Sequence, residues 1–383
     1  MRCMMSLNLH FRHVLMSAII IPAVNVFKRC FLPPSKGYFP GSGYLLRFSI
    51  ACIFLVMAMD ASAGTHDAQI HEISGKTMGT FYHVKISHPG KIDRIILKNK
   101  IDARLQAVND SMSMYLKSSE ISRFNRAPEH TPMVISDGFV LVLNQASALY
   151  DLTGGAWDGT VKPLVDIWGF GTARAKGKMP AKATINKALE NTGFDKIILF
   201  ENTLAKRKPN ITLDMGSIAK GYGVDQVAAL LLESQFENTL VEIGGEVVGS
   251  GEKRPGKPWK VGIATPDKQV AKQTVYRAIA LQNKALATSG DYRNFVVLNK
   301  KAYSHIIDPS TGYPMKNGVV SASVLADTCT LADGLATALM VMGPQKGIAL
   351  VNRMATTECL IIVKKANGSF INRYSNGFPG KSQ

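Results

Sequence analysis

The stretch LADGLAT, 331–337, places a carboxylate and a hydroxyl four positions apart. On a helix, residues i and i+4 share a face, so Asp333 and Thr337 would point the same way. Both are hard oxygen donors of the kind Mg2+ accepts. Their neighbours Leu335, Ala336, Ala338, Leu339 and Met340 are apolar, and a carboxylate on so apolar a helix needs a partner. The bland alternative for Asp333 is a cap or a buried hydrogen bond. A second cluster is DMGSIAKGYG, 214–223. Here a strand is expected to end at Asp214 and a helix to begin near Ser217. Free amides at a helix start bind phosphate or metal-bound oxygens, and Lys220, one turn in, adds a point charge. Asp214 can accept hydrogen bonds from a base or a sugar. The alternative makes Asp214 the N-cap and Lys220 a solvated charge. The spacing is not that of a Walker phosphate loop. A third cluster is SHIIDPSTGYP, 304–314, where a strand is expected to carry His305 and Ile307 before turns at Asp308-Pro309 and Gly312. His305 offers a general base or a phosphate contact, although a lone histidine is more often structural. Weaker signals are the hydroxyls and Arg293 of TSGDYR (288–293) and the Gly-Gly turn of EIGGE (242–246). Turn chemistry accounts equally well for both.

These groups need a framework. Alternation through IHEISGKTMGTFYHVKIS predicts two strands around a turn at Lys76–Thr80. Helical spacing of Ile92, Ile96, Ile101 and Leu105 predicts a helix over 91–109, and Ser136-Asp137 starts another that ends at Gly154-Gly155. The glycine-rich stretch 154–171, with Trp157 and Trp168, reads as a loop. Further helices are expected over 182–192, 218–232 and about 331–342. A strand pair is expected over 196–213, and strands over 240–248, 260–264, 277–281 and 319–325. No regular βαβ alternation runs through this order. The expected class is α+β, with mixed, largely antiparallel sheets and packed helices in a single catalytic domain, 64–383.

Of the 383 residues, 46% are apolar and 19% charged, enough to bury a core and to exclude a disordered chain. The formal charge of +17 suggests an anionic partner. Part of that charge belongs to a distinct leader. Residues 1–63 hold six basic residues and one acid, leaving 39 of the 45 basic and 27 of the 28 acidic residues beyond them, or +12. Within the leader, Arg47, the apolar run SIACIFLVMAM (49–59) and Ala61-Ser62-Ala63 form a secretory signal with cleavage expected after Ala63. The run is short for a spanning helix, so an uncleaved anchor is the rival reading. Lipidation at Cys52 is disfavoured, because Ser49-Ile50-Ala51 lacks a leucine and the apolar run continues past the cysteine. The long stretch before the run is also consistent with a start codon placed too early. Beyond the leader only Cys329 and Cys359 remain, both in apolar surroundings that favour buried thiols over a disulfide. No basic run interleaves with aromatics as in single-strand nucleic-acid binders.

The ordered blocks TMGTFYHV (77–84), SMYLKSSEISRFN (113–125), GGAWDGTVKPLVDIWGFG, DMGSIAKGYGVD, EIGGEVVGSG, ATSGDYRNF, SHIIDPSTGYP and ADTCTLADGLATALMVMG together resemble the ApbE family of FAD:protein FMN transferases. The resemblance implies Mg2+-dependent transfer of FMN from FAD to a threonine hydroxyl of an acceptor protein, with release of AMP. It implies Asp333, Thr337 and the Ser217 carbonyl as metal ligands. Lys220 would lie beside the phosphates or ribose, and His305 would serve catalysis. FAD contacts are implied at Met78, Tyr115, Ala156, Trp157, Asp158, Asp214 and Ile307, with the flat faces of Tyr115 and Trp157 suited to ring systems. The implied acceptors are subunits of Na+-translocating NADH:quinone reductase or Rnf-type complexes. The implied location is the periplasm, with membrane-surface association or an inner-membrane anchor. The alternatives are an FAD pyrophosphatase giving FMN and AMP, and a non-catalytic flavin-binding protein. A nucleic-acid partner is not expected.

Overall fold

In the computed structural model, residues 68–171, 179–266, 274–291, 295–298 and 301–380 are described. The leader 1–63 and Arg293 lie outside the described residues. The chain opens with a hairpin, β1 (Gln69–Thr77) and β2 (Thr80–His88), closed by the two-residue turn Met78-Gly79. Helix α1 (Arg94–Met112) starts at Asp93, whose carboxylate accepts from the Ile95 and Ile96 amides. Then come α2 (Glu120–Arg126), β3 (Met133–Val134) and α3 (Asp137–Thr153). As expected, Ser136 and Gly154 bound α3. The glycine-rich stretch is not all loop, because Pro163 sits in the first turn of a short helix, α4 (Lys162–Ile167). The chain continues through α5 (Lys182–Leu189), β4 (Ile197–Phe200), β5 (Thr203–Lys206) and α6 (Ala219–Glu233). Strands β6 (Thr239–Ile243), β7 (Glu246–Ser250), β8 (Trp259–Ala264), β9 (Val275–Leu281) and β10 (Lys284–Gly290) follow. The last elements are β11 (Phe295–Leu298), β12 (Lys301–Ser304), β13 (Val319–Ala326), α7 (Cys329–Val351), β14 (Glu358–Lys364) and β15 (Phe370–Tyr374).

Eight strands form one sheet in the order β1-β2-β6-β7-β10-β13-β14-β15, and each neighbouring pair is antiparallel. Successive residues of a strand face opposite sides, and the core divides accordingly. Val248, Ala285, Ala287, Val324 and Ile361 point into the larger core, with residues of α1, α3, α6 and α7. Val247, Leu286, Leu325, Leu360 and Ile362 point into a second core capped by Trp259, Ile263, Ile279 and Leu281 of the β8–β9 hairpin. A third, smaller core joins Leu164 and Trp168 to Ile185 of α5 and to Ile307. The architecture is α+β, as the mixed element order predicts.

Two expectations near the site need correction. No strand ends at Asp214: β5 stops at Lys206, and 207–218 is turn and loop before α6. Nor does a strand carry His305 and Ile307. Strand β12 ends at Ser304, and Ile307 makes only an isolated bridge to Pro314. The cause is the tight turn after it, where the Gly312 amide donates to the Asp308 carbonyl and the Asp308 amide to the Tyr313 carbonyl.

Helix α7 is the central core helix. By length and composition it could cross a membrane, but more than half of its apolar window is buried inside the fold. It is interrupted at Gly343, whose φ of 74° is left-handed, followed by Pro344. The Asn317 side-chain amide donates to the Met340 carbonyl (2.8 Å) and the Val341 carbonyl (3.2 Å) just before that break. Cys329 and Cys359 are both buried free thiols.

Candidate functional site

Helices α6 and α7 pack closely enough to bring Lys220 and Asp333 together. Gly221 permits the approach, since a Cβ there would lie 2.3 Å from the Cys329 carbonyl oxygen. Its amide donates to Asp333 Oδ2 at 3.0 Å. That is the amide which, in a helix begun at Ser217, would turn back onto the Ser217 carbonyl. Lys220 Nζ lies 3.6 Å from Asp333 Oδ1 and 3.0 Å from Glu246 Oε1. Burial opposes the charge of Lys220, but Asp333 and Glu246 outweigh it and raise the ammonium above the ordinary lysine value. Glu246 is pushed up to about 7 by burial and by the charge of Asp333, against the pull of Lys220.

The start of α7 is clamped from α6. Asp225 accepts from the amides of Cys329 and Thr330, each at 2.8 Å, and from the Thr330 hydroxyl. A carboxylate at a helix N-terminus also meets the positive end of the helix dipole. This fixes the axial position of the turn that carries Asp333. One turn further on, Thr337 exchanges a hydrogen bond with Ser289 of β10 (2.9 Å between the hydroxyl oxygens). The expected shared face of Asp333 and Thr337 is therefore realised on α7.

The loop before α6 brings in Ser217 and Asp214. The Trp157 indole N–H donates to Ser217 Oγ at 3.0 Å. Trp157 is only 2% exposed and packs against Phe194, so its faces are closed and it braces Ser217 rather than offering a stacking platform. Asp214 is not the cap of α6, whose N-cap is Ile218 without a side-chain bond. It folds back instead, accepting from the Gly216 amide at 2.8 Å. Burial raises its pKa, against the Gly216 bond and the nearby Lys162 ammonium. Asp158 turns its carboxylate inward to the Thr160 amide and hydroxyl, and burial raises it to about 6 despite those bonds. Ala156 follows the α3 cap, with its amide bonded to the Thr153 carbonyl.

Met78 adopts a φ of 48°, a left-handed conformation uncommon outside glycine and asparagine. It packs against the larger core, and its Cε lies 2.7 Å from where a Cβ on Gly223 would be, one turn along α6 from Lys220. Tyr115 is 85% exposed on the loop between α1 and α2 and keeps an open ring face. His305 sets its ring edge-on to Phe170, with centroids 6.3 Å apart. Ile307 is buried in the third core. Direct contacts thus join Lys220, Asp333 and Glu246, and separately Trp157 and Ser217. Tyr115, Asp158, His305 and Ile307 each lie on a loop. Glu246 and Lys162 carry more of the site's electrostatics than their motifs suggested. The signal for Glu246 was its alternation with Val247, which places it on the helix-facing side of β7.

An eight-stranded antiparallel sheet, with helices on one face and a hairpin on the other, is the frame on which these residues sit. The chain superposes on the flavin transferase ApbE of Vibrio cholerae with a TM-score of 0.74 and 42% identity, covering 81% of this chain and 98% of that one. It also superposes on the apo flavinyl transferase ApbE of Pseudomonas stutzeri, with a TM-score of 0.73, 32% identity and coverage of 81% and 96%. The fold is that of the ApbE flavin transferases. Among relatives in sequence, the FAD:protein FMN transferase of Vibrio cholerae is 44% identical over 301 residues, 78% of this chain and 89% of the relative. That of Haemophilus influenzae is 40% identical over 333 residues, 85% and 95%. The ApbE family model matches residues 78–361, and the chain belongs to the ApbE family.

Proposed function

We propose that this protein is a transferase that moves the FMN half of FAD onto a threonine hydroxyl of another protein. What supports the reading is the Lys220, Asp333 and Glu246 group beside Thr337, in a chain whose relatives are named FAD:protein FMN transferases. In the reaction, the acceptor oxygen forms a bond to the phosphorus of the FMN half. The pyrophosphate P–O bond breaks, and AMP leaves with the electron pair.

The donor set fits a magnesium ion. Asp333 and Thr337 present oxygen ligands on one face, and the Gly221 amide bonds Asp333 rather than closing on the Ser217 carbonyl. Among the described residues no group of three His, Cys, Asp or Glu side chains forms a metal site, so a backbone carbonyl and a hydroxyl would complete the protein's share. Mg2+ commonly keeps several waters and substrate phosphates in its shell, which suits so sparse a set. When bound it supplies a Lewis acid for the pyrophosphate oxygens. Lys220 neutralises phosphate charge as a fixed ammonium. Asp214 binds a polar edge of the nucleotide, and Tyr115 offers its open face to a ring. Met78, Ala156, Trp157, Asp158 and Ile307 shape the walls. His305 takes the proton of the acceptor hydroxyl.

The leader directs export, so the reading places the enzyme in the periplasm, at or near the inner membrane. Its acceptors there are subunits of Na+-translocating NADH:quinone reductase or Rnf-type complexes. The test is to incubate the purified protein with FAD, Mg2+ and such an acceptor domain. A covalent FMN mass adduct on one threonine is expected. Intact FAD and unmodified acceptors across several candidates would sink the proposal, and AMP release at the same rate without acceptor would point to a pyrophosphatase.

A further inference from the structure

Glu246 meets the Lys220 ammonium from the neighbouring strand β7. It is the first residue of β7 and only 3% exposed. One carboxylate oxygen meets Lys220 at 3.0 Å, while the other, Oε2, is buried and accepts no hydrogen bond among the described residues. A half-satisfied buried carboxylate is costly to keep, so a fold that retains one needs a reason. The reason lies in how Lys220 is shared. Its ammonium sits at hydrogen-bond distance from Glu246 but 3.6 Å from Asp333 Oδ1, too far for a good hydrogen bond. Asp333 Oδ2 is already taken by the Gly221 amide. Oδ1 is the oxygen that an ammonium free of Glu246 would occupy.

We propose that Glu246 is a positioning residue that holds the Lys220 ammonium away from Asp333, leaving Asp333 Oδ1 free for the divalent cation. The inference rests on the metal reading of Asp333 and Thr337 given above. Glu246 acts through Lys220 and touches neither metal nor substrate. Without it, the ammonium closes onto Asp333 as a direct ion pair and competes with the cation for the same oxygen.

Charge alone would also make Glu246 favour a cation, so the test separates charge from position. Mn2+ serves as the probe, with free ion counted by its electron paramagnetic resonance signal, on the whole protein without FAD. Glu246→Gln is expected to weaken Mn2+ binding about tenfold. Glu246→Asp keeps the charge but withdraws it by one methylene, and is expected to weaken binding in the same direction. In a Lys220→Met background, Glu246→Gln should change Mn2+ affinity by less than about twofold, because nothing remains to be held back. Circular dichroism melting confirms that each variant is folded. Wild-type affinity in Glu246→Gln overturns the proposal, and so does an equal loss in both backgrounds. Absence of Mn2+ binding in the wild type overturns the metal reading itself.

Discussion

Two lysines in this molecule are drawn inside in opposite ways. Lys206, at the end of β5, is 1% exposed. Its ammonium donates to the carbonyls of Ile211 (3.0 Å) and Asn125 (3.2 Å) and lies 5.1 Å from the centre of the Phe124 ring. Carbonyls and a ring face satisfy its hydrogens but do not neutralise its charge, and burial lowers its pKa. Lys220 is less enclosed, with 30% of its side chain exposed, yet its two carboxylate neighbours raise its pKa. The more buried lysine braces a loop, and the more open one faces the carboxylates of the candidate site. Depth alone does not mark function; what decides is whether the partners leave charge to be used.

The comparison can be broken in several ways. The largest effect is expected from Lys220→Met, which should cut FMN transfer per folded molecule by about a thousandfold, on top of the stability lost when Glu246 and Asp333 are left without their cation. Lys206→Ala should act on stability alone. It removes two buried hydrogen bonds and leaves a cavity, at about 3 to 5 kcal/mol of stability in urea unfolding. Transfer per folded molecule should stay within about threefold. If Lys206→Ala instead abolishes transfer in well-folded protein, the division of labour is wrong.

A subtler contrast is in pH. Because Lys206 has a lowered folded pKa, the unfolded chain binds more protons between that value and 10.5. Its effect is to make stability rise with pH through that window. Lys220 has a raised folded pKa, so its contribution is intact below 10.5 and is lost as pH climbs beyond it. Denaturant titrations of wild type, Lys206→Met and Lys220→Met across alkaline pH should show the two slopes with opposite sign. The smallest effect is expected at the link between the regions. Asn125 bonds both the amide and the carbonyl of Leu213, one residue before Asp214. Asn125→Ala should cost about 1 to 3 kcal/mol and raise the KM for FAD a few-fold, with kcat nearly unchanged. An unaltered KM would show that the Lys206 brace does not reach the site.

Much of this was legible in the residues. The Lys76–Thr80 turn, the Ser136 and Gly154 limits of α3, and the shared face of Asp333 and Thr337 follow from local rules that the fold obeys. Other features depend on distant partners. Nothing near Tyr82 says that it will sit opposite Ile243 across β2 and β6. Lys206 gave no warning of its burial, because backbone carbonyls carry no side-chain signature. Glu246 was read as turn chemistry because its meaning depends on Lys220, on another element. The loop at 207–218 looked like a strand because its apolar residues Ile211 and Leu213 are buried, though by loop packing rather than by a ladder.

The clamped helix α7 carries one more consequence. Helix formation is local, and this segment can coil on its own side-chain pattern. Its position along its axis is not local. Asp225 grips its start from 104 residues away in sequence, and Asn317 grips the turn before the Gly343 break from 23 residues away. In the language of contact order, the helix is cheap to form and slow to register. The alignment of Asp333 with Lys220 is therefore acquired with the tertiary fold, and a chain still assembling its sheet has the residues of the site but not their register.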